Sequence, residues 1–231
     1  MWKLNHDTKV TITNLKGSKI YTIDNVFAEP QKLERYLFNR QTAQVESKEP
    51  FLQNGLEFLK CRYHDFADKA APIVWLASKL CNQQPSFFGS FKTNCDIWLN
   101  GDYNNWKDNY WFPHIDHGYN CIIYFNQDDY TNGTNLYDPS VKEEEWFKTL
   151  MEKVPTGTQP WISKNKFKLL KTLRPKYNRM VLFDGAYFPH SPAIVNDKYF
   201  VESLDDVLNR TQFRSNLCFF FHPYENDNKE N

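Results

Sequence analysis

The segment Trp111-Phe112-Pro113-His114-Ile115-Asp116-His117 places an imidazole and a carboxylate two residues apart. In an extended strand, positions i and i+2 share a face, so His114 and Asp116 project together while Ile115 and His117 project away. That pair is two thirds of the 2-His-1-carboxylate set that holds non-haem Fe(II) and leaves coordination positions open. Six histidines and sixteen aspartates in 231 residues give roughly 0.4 such pairs by chance. The pair therefore needs a third partner before it carries weight.

Residues Asn178–Gly185 read as a turn, a buried strand and a second turn, and Tyr187-Phe188-Pro189-His190-Ser191 follows. A second histidine is thus expected at a strand end, 74 residues beyond Asp116, and antiparallel strands that far apart in sequence can lie side by side. Arg214 heads the run Arg214-Ser215-Asn216-Leu217-Cys218-Phe219-Phe220-Phe221, which is too apolar to lie outside the core. A guanidinium in that setting needs an anionic partner, and a carboxylate matches its fork.

With these residues in this order, the chain resembles the Fe(II)/2-oxoglutarate-dependent oxygenases, and within them the prolyl-4-hydroxylase-like branch. The resemblance runs from Asp24-Asn25-Val26-Phe27 to Phe221. It rests on His114-x-Asp116, on Gly133-Thr134-Asn135-Leu136-Tyr137, on Asn178–Asp184 leading to His190, and on Arg214. It implies a double-stranded β-helix (jelly roll) flanked by N-terminal helices. His114, Asp116 and His190 would then be the catalytic iron ligands. Arg214 would hold the distal carboxylate of 2-oxoglutarate, with Tyr124 and Asn216 as further cosubstrate contacts and Arg210 as the rival anchor. The chain departs from the family pattern at two points. The gap from His190 to Arg214 is longer than usual, which an insert at Ala193–Asn209 accounts for, and Asn216 stands where many members carry Ser or Thr.

The activity implied is hydroxylation of a small-molecule or peptidyl, prolyl-like substrate, using Fe(II), 2-oxoglutarate and O2 and yielding succinate and CO2. Oxidative demethylation of alkylated nucleic acid is an alternative, because Arg214-x-Asn216-Leu217 looks like part of that branch's C-terminal signature. Phe220, however, occupies the place of that branch's second arginine. A non-enzymatic metal-binding jelly roll is a third reading; it would be expected to lose a ligand or the anchoring arginine, and neither loss is seen.

Several elements must position these groups. A strand is expected at Ser18–Val26, then a helix opening at Pro30 with Leu33, Leu37 and Phe38 as its apolar stripe. A second helix is expected from about Asp68 to Cys81. Short aromatic-rich runs follow at Phe91–Leu99, Trp111–Asp116, Asn120–Phe125, Thr134–Tyr137, Lys166–Leu173, Met180–Phe183 and Phe213–His222, a spacing that suggests an antiparallel sandwich. Ser140 with Glu143 forms a capping-box signature ahead of Trp146, Phe147, Leu150 and Met151, and Ser203–Asn209 repeats it. The fold expected is mainly β with α-helical support, in one domain over 1–231. Helical support covers about 1–86, a jelly-roll core about 87–222, and a polar tail 225–231. Specificity is expected on the loops Gly101–Tyr110, Gln127–Asn132 and Tyr187–Asn209.

Composition narrows the classes. With 28 basic and 28 acidic residues the chain has no net charge to grip a phosphate backbone, so nucleic acid is not the expected partner. The aliphatic stretch Ala71–Ala77 is far too short for a bilayer, and the N-terminus carries no apolar leader. Five cysteines without a CxxC pair read as free thiols in a reducing compartment, which predicts a cytoplasmic protein. Oligomeric state and substrate identity leave no sequence signal.

Overall fold

Two strands open the chain: β1 (Lys9–Leu15) and β2 (Ser18–Asp24) pair antiparallel, Leu15 opposite Ser18. Their two-residue turn holds Lys16 and Gly17 at φ 51° and 85°, the left-handed pair that matches strand twist in a tight hairpin. A computed structural model describes residues 2–41, 50–51, 56–59, 69–82, 92–99, 107–125, 133–153, 161–195, 200–201 and 214–221. At 37–41, 50–51, 56–59, 92–99, 153, 200–201 and 214–215 the description is of the backbone alone.

The remaining strands are β3 (Pro50–Phe51), β4 (Leu56–Leu59), β5 (Lys92–Leu99), β6 (Asn109–Trp111), β7 (Tyr119–Tyr124), β8 (Thr134–Tyr137), β9 (Trp161–Ser163), β10 (Leu169–Leu173), β11 (Arg179–Asp184), β12 (His190–Pro192), β13 (Phe200–Val201) and β14 (Arg214–Phe221). A large sheet has the order β1-β2-β11-β7-β14-β5-β4-β3, with β13 added parallel to β5. A small sheet has the order β10-β8-β12, and β6 pairs with β9. The chain is mainly β, with helices α1 (Pro30–Gln41), α2 (Ala71–Cys81) and α3 (Glu145–Lys153).

Period-two alternation decides what each face of the large sheet meets. Tyr21, Ile23, Cys121, Ile123, Met180, Leu182, Leu217, Phe219 and Phe221 pack on one face against Trp2, Phe27, Leu33 of α1 and Ile73, Val74 and Ala77 of α2. Their neighbours Ile20, Ile122, Tyr124, Val181, Phe183 and Cys218 pack on the other face with Leu136 and Leu173 of the small sheet. The outer side of the small sheet is buried in turn: Tyr137 packs with Val141, Phe147 and Phe167 beneath α3. The space between the two sheets is therefore lined by the second set.

Most expected strands form within a residue or two of the expected bounds, and three differences have physical causes. Trp111–Asp116 is not one strand: β6 ends at Trp111, and His114 makes only a single bridge, to His190, because Pro113 has no N–H to continue a ladder. His190 does not end the Arg179–Asp184 strand. A turn after Asp184, whose Oδ1 accepts from the N–H groups of Ala186 and Tyr187 at 3.0 Å, sends the chain into the other sheet as β12. The helix expected after Ser140 is split. Asp138 rather than Ser140 caps a 3-10 turn over Pro139–Glu143, accepting from Ser140 N at 3.2 Å, and α3 starts at Glu145. Strands β1, β3, β4, β9 and β13 are additional to those expected. The helix at Ser203–Asn209 and the tail 225–231 lie outside the described residues.

Candidate metal centre

The tripeptide Phe-Pro-His occurs twice, at Phe112-Pro113-His114 and Phe188-Pro189-His190. The fold sets the two copies against each other. His114 N donates to His190 O at 3.0 Å and His190 N donates to His114 O at 2.8 Å, a closed antiparallel pair. Each imidazole then meets its own tripeptide: Nδ1 of His114 lies 3.2 Å from Phe112 O, and Nδ1 of His190 lies 3.0 Å from Phe188 O. A carbonyl only accepts, so Nδ1 carries a proton in both rings, and in a neutral ring Nε2 is the nitrogen with the lone pair. Fixing the tautomer through the remote ring nitrogen is how metal-ligating histidines are oriented.

Asp116 reaches the same point from the turn before β7, held by its own N–H to Gly185 O at 3.0 Å. One donor atom from each of His114, Asp116 and His190 lies within 4.8 Å of the other two, the one such grouping among the described residues. Asp116 Oδ2 is 3.1 Å from His190 Nε2, and the two rings stand 4.6 Å apart. Burial opposes the charge on Asp116. The hydrogen bond and charge of His190, the charge of His114 and the Asn120 amide outweigh it, holding the carboxyl well below its usual range. His190 is 4% exposed, with Phe183 edge-on to its ring at 5.1 Å. A borderline nitrogen pair with one ionised oxygen suits a divalent transition ion, so these residues can hold one.

Asn120 is the residue that sequence reasoning missed. It lies on the Ile122–Tyr124 side of β7, 3% exposed. Its Nδ2 is 2.5 Å from Asp116 Oδ2 and 2.8 Å from His190 Nε2. The available signal was a polar side chain at the head of the apolar run Asn120–Phe125.

Compared with known proteins, the chain matches no family model and no curated protein. The functional reading therefore stands on these residues alone.

The expected cosubstrate contacts divide. Tyr124 and Asn216 are opposite each other in register on β7 and β14, both buried. Tyr124 Oη is 2.8 Å from Thr134 Oγ1 of the small sheet. Asn216 donates through Nδ2 to Cys218 Sγ at 3.1 Å, while its Oδ1 has no partner among the described residues. Arg214 begins β14 opposite Asp96, two residues from Asn216 and so on the same alternate set; its side chain and all of Arg210 lie outside the description. Positions 101–106, 127–132, 196–199 and 202–209 of the expected specificity loops do too. His6 and His117 are exposed, and His64 and His222 are outside the described residues. Cys81, Cys121 and Cys218 are free thiols. No helix among the described residues is long and apolar enough to cross a membrane.

Proposed function

We propose that this chain is an Fe(II)- and 2-oxoglutarate-dependent oxygenase with a double-stranded β-helix core, hydroxylating a small-molecule or peptidyl substrate. The observation that carries the reading is the convergence of two tautomer-fixed histidines and an ionised aspartate between two facing sheets. The strand order supports the jelly-roll reading. β5-β14-β7-β11 run side by side in the large sheet, and His114, β12, β8 and β10 run side by side opposite them. The chain crosses between the two sheets from β5 through His114, β7 and β8, and again from β10 through β11 and β12 to β14, with β8 and β10 paired as neighbours in the small sheet, a winding in keeping with a double-stranded β-helix.

His114, Asp116 and His190 would hold the iron, and Fe(II) with 2-oxoglutarate and O2 supplies the oxidising chemistry that releases succinate and CO2. The chain's own residues do the rest. The Phe112 and Phe188 carbonyls take the Nδ1 protons and leave Nε2 as the nitrogen each ring would offer an ion. Phe183, edge-on to His190, and Leu136, opposite it in register, give the site apolar neighbours. Arg214 would pair with the distal carboxylate of 2-oxoglutarate, and Tyr124 with Asn216 would supply neutral hydrogen bonds beside it. The unpartnered Asn216 Oδ1 can only accept, so Asn216 would meet a cosubstrate carboxylate through its Nδ2, which in the ion-free chain donates to Cys218 Sγ.

The test is turnover of 2-oxoglutarate to succinate by the Fe(II)-loaded protein in air. Wild type should release succinate slowly even without substrate. His190→Ala should abolish it, and Arg214→Ala should raise the 2-oxoglutarate KM at least about tenfold, the scale of a lost charge-assisted pair. A folded, iron-replete wild type that leaves 2-oxoglutarate intact overturns the oxygenase reading. Retained metal affinity would then leave a non-enzymatic metal-binding protein.

A further inference from the structure

We infer that Asn120 is the positioning residue of the metal centre, and that Gly185 exists to keep its amide in place. The inference rests on the metal-centre reading and goes beyond it to a residue that is not itself a ligand. Asn120 Nδ2 donates to Asp116 Oδ2 at 2.5 Å and approaches His190 Nε2 at 2.8 Å. The amide orientation is fixed by chemistry: reversed, it would press Oδ1 against an ionised carboxylate. Its Oδ1 has no partner among the described residues, so the side chain is oriented by what its nitrogen does.

The slot that holds it is closed by Gly185. A Cβ on Gly185 would lie 2.8 Å from both Cγ and Oδ1 of Asn120 and 2.9 Å from Nδ2, its three nearest atoms. Gly185 does not need a left-handed backbone, since it is absent from the residues with positive φ. The three atoms a side chain there would meet first all belong to the Asn120 amide. The same glycine accepts from Asp116 N at 3.0 Å and donates to Gly118 O at 2.7 Å, so carboxylate ligand, amide and glycine form one unit.

An ion held by His190 would need the Nε2 lone pair, so its binding would release the Asn120–His190 contact. The bond to Asp116 Oδ2 remains and dictates that the other carboxylate oxygen, Oδ1, is the one left for the ion. Without the amide, Asp116 rotates freely and falls back on His190, the partner 3.1 Å away.

The test is Co(II) titration of the ion-free full chain, followed by its visible absorption, for wild type, Asn120→Ala, Gly185→Ala and the double variant. Each single change should weaken Co(II) binding about 10- to 100-fold, the range for lost partners of metal ligands. The double variant should be no weaker than either single, because both remove the same amide. Thermal melts of the ion-free proteins should show that Gly185→Ala costs less in the Asn120→Ala background, where the three atoms its Cβ met first are gone. Unchanged Co(II) affinity in Asn120→Ala, or losses that multiply in the double variant, would overturn the inference while leaving the metal centre standing. Wild type that binds no Co(II) would overturn both.

Discussion

At the residue scale, two copies of Phe-Pro-His do most of the positioning. A proline between carbonyl and imidazole fixes φ near −65°, and the Phe carbonyl takes the Nδ1 proton in both copies. Replacing His114 or His190 with Ala should lower Co(II) affinity more than any change at Asn120, beyond about 100-fold, as loss of a ligand exceeds loss of a ligand's partner. Titration of the two variants checks this; affinity within tenfold of wild type would contradict it. His114, Asp116 and His190 were legible in the sequence because their spacing and strand contexts were unusual together. Asn120 was not, because a single polar residue in a buried strand has many explanations until its neighbours are in place. The geometry assumed for His114 and Asp116, a shared strand face, was only an approximation. A single bridge and the Asp116–Gly185 hydrogen bond bring them together instead.

At the element scale, β11 is the strand that ties the helices' side of the sheet to the site. Arg179 donates from Nε and an η nitrogen to Asp24 of β2 at 2.6 and 3.1 Å, with Lys176 at 3.4 Å. The Arg179 hydrogen bond, with the charges of Arg179 and Lys176, outweighs burial and holds the Asp24 carboxyl below its usual range. A depressed carboxyl contributes stability above its unfolded pKa, near 3.9, and loses it as pH falls through the folded value. Asp24→Asn should therefore melt below wild type at pH 7, with the gap closing as pH drops below about 4. A gap that persists at pH 2 would contradict the pairing. Just before that strand, Asn178 sits at φ 60°, 4% exposed. It closes a buried pair with Phe27, accepting from its N–H at 3.0 Å and donating to its carbonyl at 2.9 Å. Asn178→Ala leaves two buried backbone groups unpaired and should cost about 2–4 kcal/mol by urea denaturation. A cost under about 0.5 kcal/mol would contradict that role. The strands of the sheet core were legible because their apolar runs are short and bounded by turn residues. β1 was not, because its Val10 and Ile12 remain exposed, so burial leaves no mark on it. The split at Ser140 was hidden because Asp138 offers an equally good cap two residues earlier.

At the scale of the whole molecule, the candidate site lies where two sheets face each other, so an ion held there would join them. His190 comes from the small sheet, and Asp116 stands at the entry to β7 of the large one. An ion bound to the folded chain alone should stabilise it by about 2.7 kcal/mol at a hundredfold excess over its Kd. Melting with and without Fe(II) under argon should show a rise in Tm for wild type and none for Asp116→Ala. An equal rise in both would place the ion elsewhere. The alternation of apolar residues made a mainly-β fold readable from sequence, and the pairing order of the strands was beyond it, since register depends on contacts made only after folding.

The most direct measurement of the central claim is the visible metal-to-ligand charge-transfer band formed when Fe(II) and 2-oxoglutarate are added without oxygen. Wild type should develop the band, His114→Ala should lack it, and Arg214→Ala should need far more 2-oxoglutarate to reach it. Folded wild type that binds Fe(II) and shows no band at saturating 2-oxoglutarate would contradict the account.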